Sequence, residues 1–262
     1  MGQLKSLAGQ TAIYGVSSIL GRLINYALVP LHTSVFLPTD MGIVTALYAY
    51  TAVFMILYTL GMETAYFRFA KENPLKVFQS CFTVIFLVST ILSILIIFFS
   101  DSLAAIIGYP QTGIYIVWIA IIMWIDALIA IPFARLRFEN KAKKFAFVKI
   151  VSISLNILIQ SVLLWWLPLT TDSLFGIDFI TPSIGYIFSA NLIANGSILF
   201  LLFNEIKELR INLHFQILKP YLIYAIPIFI MGLGGMLNEQ LDKILIEHLL
   251  PADFYATMEI SR

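Results

Sequence analysis

The chain has 262 residues, 60% of them hydrophobic and only 12% charged, with a net charge of +1. A soluble domain carries roughly twice that share of charge and cannot hide so much apolar surface from water, so the surplus must face lipid. The near-neutral balance excludes a global basic field for nucleic acid, and the single cysteine, Cys81, excludes an intrachain disulfide or a Cys-based metal site.

A helix needs about 20 residues to cross the hydrocarbon core. Seven stretches qualify, near 8–36, 42–66, 78–99, 113–134, 148–168, 184–203 and 221–249. The first is too long for a cleavable signal peptide and has Arg22 in its middle. The first and last exceed what crossing requires, so they tilt, kink or protrude. Pro30 and Pro227 lie inside them, and proline removes a backbone donor and bends a helix.

The connections alternate in charge. Lys5 precedes the first span. Arg68, Lys71 and Lys76 separate the second and third spans. Arg135, Arg137, Lys141, Lys143, Lys144 and Lys149 lie between the fourth and fifth, and Lys207, Arg210 and Lys219 between the sixth and seventh. Together these hold 13 of the 16 Lys and Arg. The other connections, 37–40, 100–112 and 169–183, hold none. By the positive-inside rule, the N-terminus and the basic loops are expected in the cytoplasm.

An internal repeat accompanies this pattern. Gly21, Asn25 and Leu37-Pro38-Thr39-Asp40 match Gly234, Asn238 and Leu250-Pro251-Ala252-Asp253 at a constant offset of 213. Both copies run outward, so the repeat is parallel, with its axis along the membrane normal. The expected fold is all-α: a polytopic membrane helix bundle with one six-helix lobe, residues 1–219, plus the first helix of a second lobe, residues 220–262. The repeat extrapolates to a parent protein of about twelve or more helices.

Polar residues inside a span cost a few kcal/mol each near its centre, so they face a bundle interior, a partner or water. The candidates for a substrate cavity are Arg22, Asn25, Glu63, Arg68, Asp126, Asn238, Glu239 and Lys243. Arg22 lies too deep to snorkel comfortably, and its guanidinium suits phosphate oxygens. Structural readings stand beside these. Asp126 can pair with Arg22 to fix helix packing. Glu239 and Lys243 are four apart and can pair locally. Glu63 and Arg68 can mark the interface. The stripe Ser17, Gly21, Asn25 serves a packing seam as well as a cavity wall. Trp118, Trp124, Trp165 and Trp166 read mostly as belt or lipid-facing residues. His32, His214 and His248 lack ligand spacing, and no GxxxxGK phosphate loop occurs. No cofactor and no metal are expected.

Three segments resemble a known family: Leu7 to Gly15 with the later Gly21-Arg22, Gly61 to Phe69, and Arg135 to Asn156. They are similar to the polysaccharide-transport branch of the multidrug/oligosaccharidyl-lipid/polysaccharide exporter superfamily, the O-antigen flippases. The resemblance implies two facing six-helix lobes in a bacterial inner membrane. It implies alternating access for a polyprenyl-pyrophosphate-linked oligosaccharide, driven by a proton or sodium gradient. The expected partners are therefore a lipid-linked oligosaccharide, membrane lipids and a coupling ion, and no nucleic acid; the chain is not expected to be an enzyme. The alternatives are a drug or cation exporter of the same superfamily and a membrane glycan polymerase. A seven-helix receptor fits the span count but needs the opposite N-terminal orientation.

Overall fold

A computed structural model describes residues 28–167, 183–211 and 218–240 with their side chains, the single residues 15, 19 and 26, and the backbone alone of 173–174, 177–178, 215–217 and 241–249. The architecture is an all-α membrane bundle, with helices α1 (Val29–Val35), α2 (Pro38–Thr59), α3 (Met62–Phe69), α4 (Pro74–Phe98), α5 (Ser100–Ile107), α6 (Gly113–Phe138), α7 (Ala142–Ser161), α8 (Gly185–Leu201), α9 (Phe203–Ile206) and α10 (Phe215–Leu249). A two-residue antiparallel hairpin, Ser173–Leu174 with Ile177–Asp178, interrupts the connection between α7 and α8.

Local chemistry sets the helix ends. Prolines 38 and 74 occupy first-turn positions, where the missing N–H would be unpaired anyway. Asn73 caps α4 by accepting from the Lys76 amide at 3.1 Å. Gly108 closes α5 in the left-handed region at φ +94°. Asn140 turns the chain between α6 and α7 at φ +58°, with the Lys141 amide reaching back to Leu136 O at 2.8 Å. A π-turn, Val162–Trp166, extends α7.

Among the described residues, five segments are long and apolar enough to cross a membrane: Pro38–Phe69, Pro74–Phe98, Pro110–Phe138, Ala142–Trp166 and Leu218–Gln240. α8 is shorter. Its 17 residues rise about 26 Å at 1.5 Å each, and α9 follows after Leu202. Several observed helices begin before the expected apolar stretch: Pro38 against 42, Pro74 against 78, Ala142 against 148, Phe215 against 221. Helical turns continue into the polar interface, where a hydrophobicity count stops. Most of the expected first span lies outside the described residues; its visible end, α1, stops at Val35.

Two departures from expectation are physical. The second span is not continuous: Leu60 and Gly61 both turn left-handed, at φ +46° and +67°, and separate α2 from α3. The basic-free connection 100–112 is not irregular but holds α5, which packs back on the start of α6. Glycine at 113 leaves room for that approach: a Cβ there would meet Asp101 Oδ1 at 2.1 Å, and the exposed carboxylate would have to turn aside.

The core runs through α2, α3, α4, α6 and α8, with Tyr58, Met62, Tyr66, Phe78, Ile85, Ile131 and Phe188 fully enclosed. Polar links cross it, as expected where lipid offers no hydrogen bonds. Tyr58 bonds Ser93 at 3.0 Å, and Ser93 donates to Ala120 O at 3.2 Å. Trp124 donates to Thr90 at 3.0 Å, so this tryptophan belongs to the packing and not to the lipid belt. Trp118 also packs on the core, whereas Trp165 and Trp166 are exposed at the end of α7. A second core, built on Phe133, Leu136, Phe145, Val148 and Leu202, joins α6, α7 and α8. α10 lies along α2, α3 and α4; Leu218 and Ala225 are buried, while Ile230, Met231 and Leu237 are exposed.

Candidate functional site

Two groups of described polar residues are joined by hydrogen bonds or ion pairs into candidate sites. One lies at the end of the bundle where the basic connections meet. Arg137 pairs with Glu63 of α3. Arg135 reaches Glu139 at 2.6 Å and Glu208 at 2.8 Å. Lys141 also holds Glu139, at 2.6 Å, and Lys144 donates to both oxygens of Glu205 at 2.7 Å. Partial burial would raise the Glu139 carboxyl, but its bonds to Lys141 and Arg135 prevail and hold it below the usual carboxylate range. Three basic connections therefore share one end, and four cations from the end of α6 to the start of α7, Arg135, Arg137, Lys141 and Lys144, are already matched by carboxylates.

The second group lines a cavity of about 350 Å³ among α1, α2, α7 and α8. Ser152, Asn156 and Gln160 stand one turn apart on α7, so a 3.6-residue period puts all three on one face. Asn191 and Asn195 repeat that spacing on α8. His32 enters from α1 and Tyr48 from α2. The amides are held from behind. His32 Nε2 and Gln160 Oε1 are 2.6 Å apart. Gln160 Nε2 donates to Asn156 Oδ1. Asn191 Nδ2 donates to the Tyr48 hydroxyl at 2.9 Å, and Asn195 Nδ2 to Asp126 Oδ1 at 2.8 Å. Ser152 donates to Ala194 O at 3.2 Å. The cavity reaches from the end of the bundle opposite the ion pairs, at His32 and Gln160, to the half-depth of α6, where Asp126 stands behind Asn195. Its described walls contain no carboxylate, lysine or arginine.

The expected site residues distribute as follows. Asp126 adjoins this cavity and bonds Asn195. Glu63 belongs to the ion-pair end. Arg68 is exposed beside the Phe69 ring, with its guanidinium carbon 5.9 Å from the centroid. Asn238 and Glu239 are exposed on α10. Arg22 and Asn25 lie outside the described residues, as does the side chain of Lys243. The structure thus does not join the described candidates into one cluster.

Sequence reasoning passed over His32, Tyr48, Ser152, Asn156, Gln160, Asn191 and Asn195. A signal was present: amides at i and i+4 within an apolar span, twice. What no spacing rule conveys is that α7 and α8 turn these faces toward each other.

Across this bundle, from residue 35 to residue 256, the chain matches the family model described as polysaccharide biosynthesis protein. The chain belongs to that family. The resemblance to the polysaccharide-transport branch of the exporter superfamily therefore holds for this polysaccharide biosynthesis protein. No curated protein and no solved structure matches it.

Proposed function

We propose that the chain works in the flipping of polyprenyl-pyrophosphate-linked oligosaccharide across a bacterial inner membrane, by alternating access, for assembly of cell-surface polysaccharide. The observation that carries this reading is the family match over residues 35–256, coincident with a multi-pass helix bundle. Residues 1–219 belong to one lobe and residues 220–262 open a second. The chain is a carrier, not an enzyme; a proton or sodium gradient drives it, and its N-terminus is cytoplasmic.

The test is disruption of the gene in its host, followed by complementation. Surface polysaccharide is expected to fall, with lipid-linked repeat units accumulating on the cytoplasmic leaflet, and complementation with the intact gene is expected to reverse both. Repeat units that reach the outer leaflet but stay unpolymerised would instead identify a polymerase. Unchanged polysaccharide with new sensitivity to cationic drugs would identify a drug exporter.

A further inference from the structure

The walls of the amide cavity have a chemistry that selects among the parts of such a substrate. Pyrophosphate needs cations, ideally a guanidinium fork, and a cationic ligand needs a carboxylate. The described walls hold no lysine, arginine or carboxylate, and the adjoining acid, Asp126, is covered by the Asn195 amide. Besides His32, whose Nε2 is engaged with Gln160, they supply amide and hydroxyl donors and acceptors. Asn191 donates to Tyr48, so the Tyr48 proton is left to donate and Asn191 Oδ1 to accept. Asn195 donates to Asp126, which leaves Asn195 Oδ1 to accept. Asn156 accepts from Gln160, which leaves both protons of Asn156 Nδ2 to donate. Those remaining atoms have no partner among the described residues.

Polar side chains at this depth are costly, and a purely structural network would close on itself. Here Asn156, Asn191 and Asn195 line the cavity with one group bonded and the other without a partner among the described residues, while Gln160, bonded at both ends, braces Asn156. The bonds from behind fix the amide planes before any ligand arrives, which lowers the ordering cost of binding. At roughly 30 Å³ per water, the cavity has room for about a dozen waters, or one sugar ring. That is the low end of small-molecule sites, about 300 Å³. A vicinal hydroxyl pair or an acetamido group offers a donor and an acceptor together, the complement of these walls.

We infer that the cavity is a recognition subsite for one uncharged sugar residue of the glycan, and that the pyrophosphate is held elsewhere. The inference rests on the flippase reading. Its test is direct binding to the purified full chain in lipid nanodiscs, by saturation-transfer NMR. The probes are N-acetylglucosamine, galactose and glucose, with inorganic pyrophosphate as the competitor. At least one sugar is expected to receive saturation, and pyrophosphate is expected not to displace it. Asn156→Leu and Asn191→Leu are each expected to weaken binding about five- to tenfold. Lipid-facing Phe200→Leu should leave it unchanged. Should the leucine variants misfold, Ile153→Phe decides the matter: it fills the cavity from an apolar wall, removes no hydrogen bond, and is expected to abolish the signal. Absence of sugar binding by folded wild type overturns the subsite. So does pyrophosphate binding that is lost in these variants, and so does sugar binding that survives Ile153→Phe. Absent sugar binding with polysaccharide export still dependent on the gene refutes the subsite and spares the flippase reading. Sugar binding that Ile153→Phe abolishes, with polysaccharide unchanged on gene disruption, does the reverse.

Discussion

Lys143 and Lys144 are neighbours with the same chemistry and different situations. Lys144 donates to both carboxylate oxygens of Glu205, whose side chain is only 8% exposed, whereas Lys143 is exposed. Removing the partner of a buried carboxylate leaves its desolvation uncompensated. Lys144→Ala is therefore expected to lower stability by about 1–3 kcal/mol, and Lys143→Ala by less than about 0.5 kcal/mol. Unfolding midpoints in an SDS titration, followed by circular dichroism, compare the two. Glu139 adds a pH dependence with a definite sign. Its folded carboxyl is held below the usual range, so its contribution is present above the unfolded value, about 4.3, and disappears as pH falls through the folded value. Glu139→Gln is expected to flatten stability across that acid window, and an unchanged acid limb would refute the assignment. The sequence allows the basic run to be read as a topology signal, but not the commitment of four of its cations to Glu63, Glu139, Glu205 and Glu208, because those acids come from three separate connections.

The break between α2 and α3 is where element-level reading and structure diverge most. An apolar run from 42 to 66 reads as one helix, and Gly61 alone is a weak stop signal. The structure ends α2 at Thr59, just before Leu60, a residue with a side-chain penalty in the left-handed region, and α10 lies against the break. A Cβ on Gly61 would sit 3.1 Å from Ala225 O and 3.4 Å from Ile228 Cγ2. Gly42, inside α2, has nothing within 4 Å of that position. The two glycines therefore predict opposite signs. Gly61→Ala is expected to cost about 1–2 kcal/mol from backbone strain alone and to loosen α10. Gly42→Ala is expected to stabilise by about 0.5–1 kcal/mol through helix entropy. Thermal unfolding in one detergent ranks both against the wild type, and equal shifts would refute the break. Apolar length places the starts of the other long helices four to six residues late at Pro38, Pro74, Ala142 and Phe215, because the first turns lie in the polar interface, and it gives no sign of α5. The cavity is not legible in the sequence, because it depends on which faces of α7 and α8 meet.

Across the whole molecule, two independent observations concern sidedness. In the sequence, 13 of the 16 Lys and Arg fall in alternate connections. In the structure, ion pairs draw three of those segments together: Glu63 from one, Arg135 to Lys144 from the next, Glu205 and Glu208 from the third. At the opposite end, His32 meets Gln160, and Tyr115 meets Ser183 at 3.2 Å. An even number of crossings must therefore separate any two basic segments. That fits one pass through Pro38–Phe69, paired passes through Pro74–Phe98 and Pro110–Phe138, and a return by α8 after Ala142–Trp166. By the positive-inside rule, the basic end is the one expected in the cytoplasm. Reporter fusions after Lys71, Lys144 and Lys207 are expected to score cytoplasmic, and fusions at Asp40, Ser102 and Asp172 periplasmic. The fusion at Ser102 is the most exacting, because α5 places that residue on a surface helix and not on a free loop. A cytoplasmic score there, or at Asp172, would break the alternation in mid-bundle and refute the orientation, whereas inversion of all six would preserve the fold and reverse only its direction in the membrane.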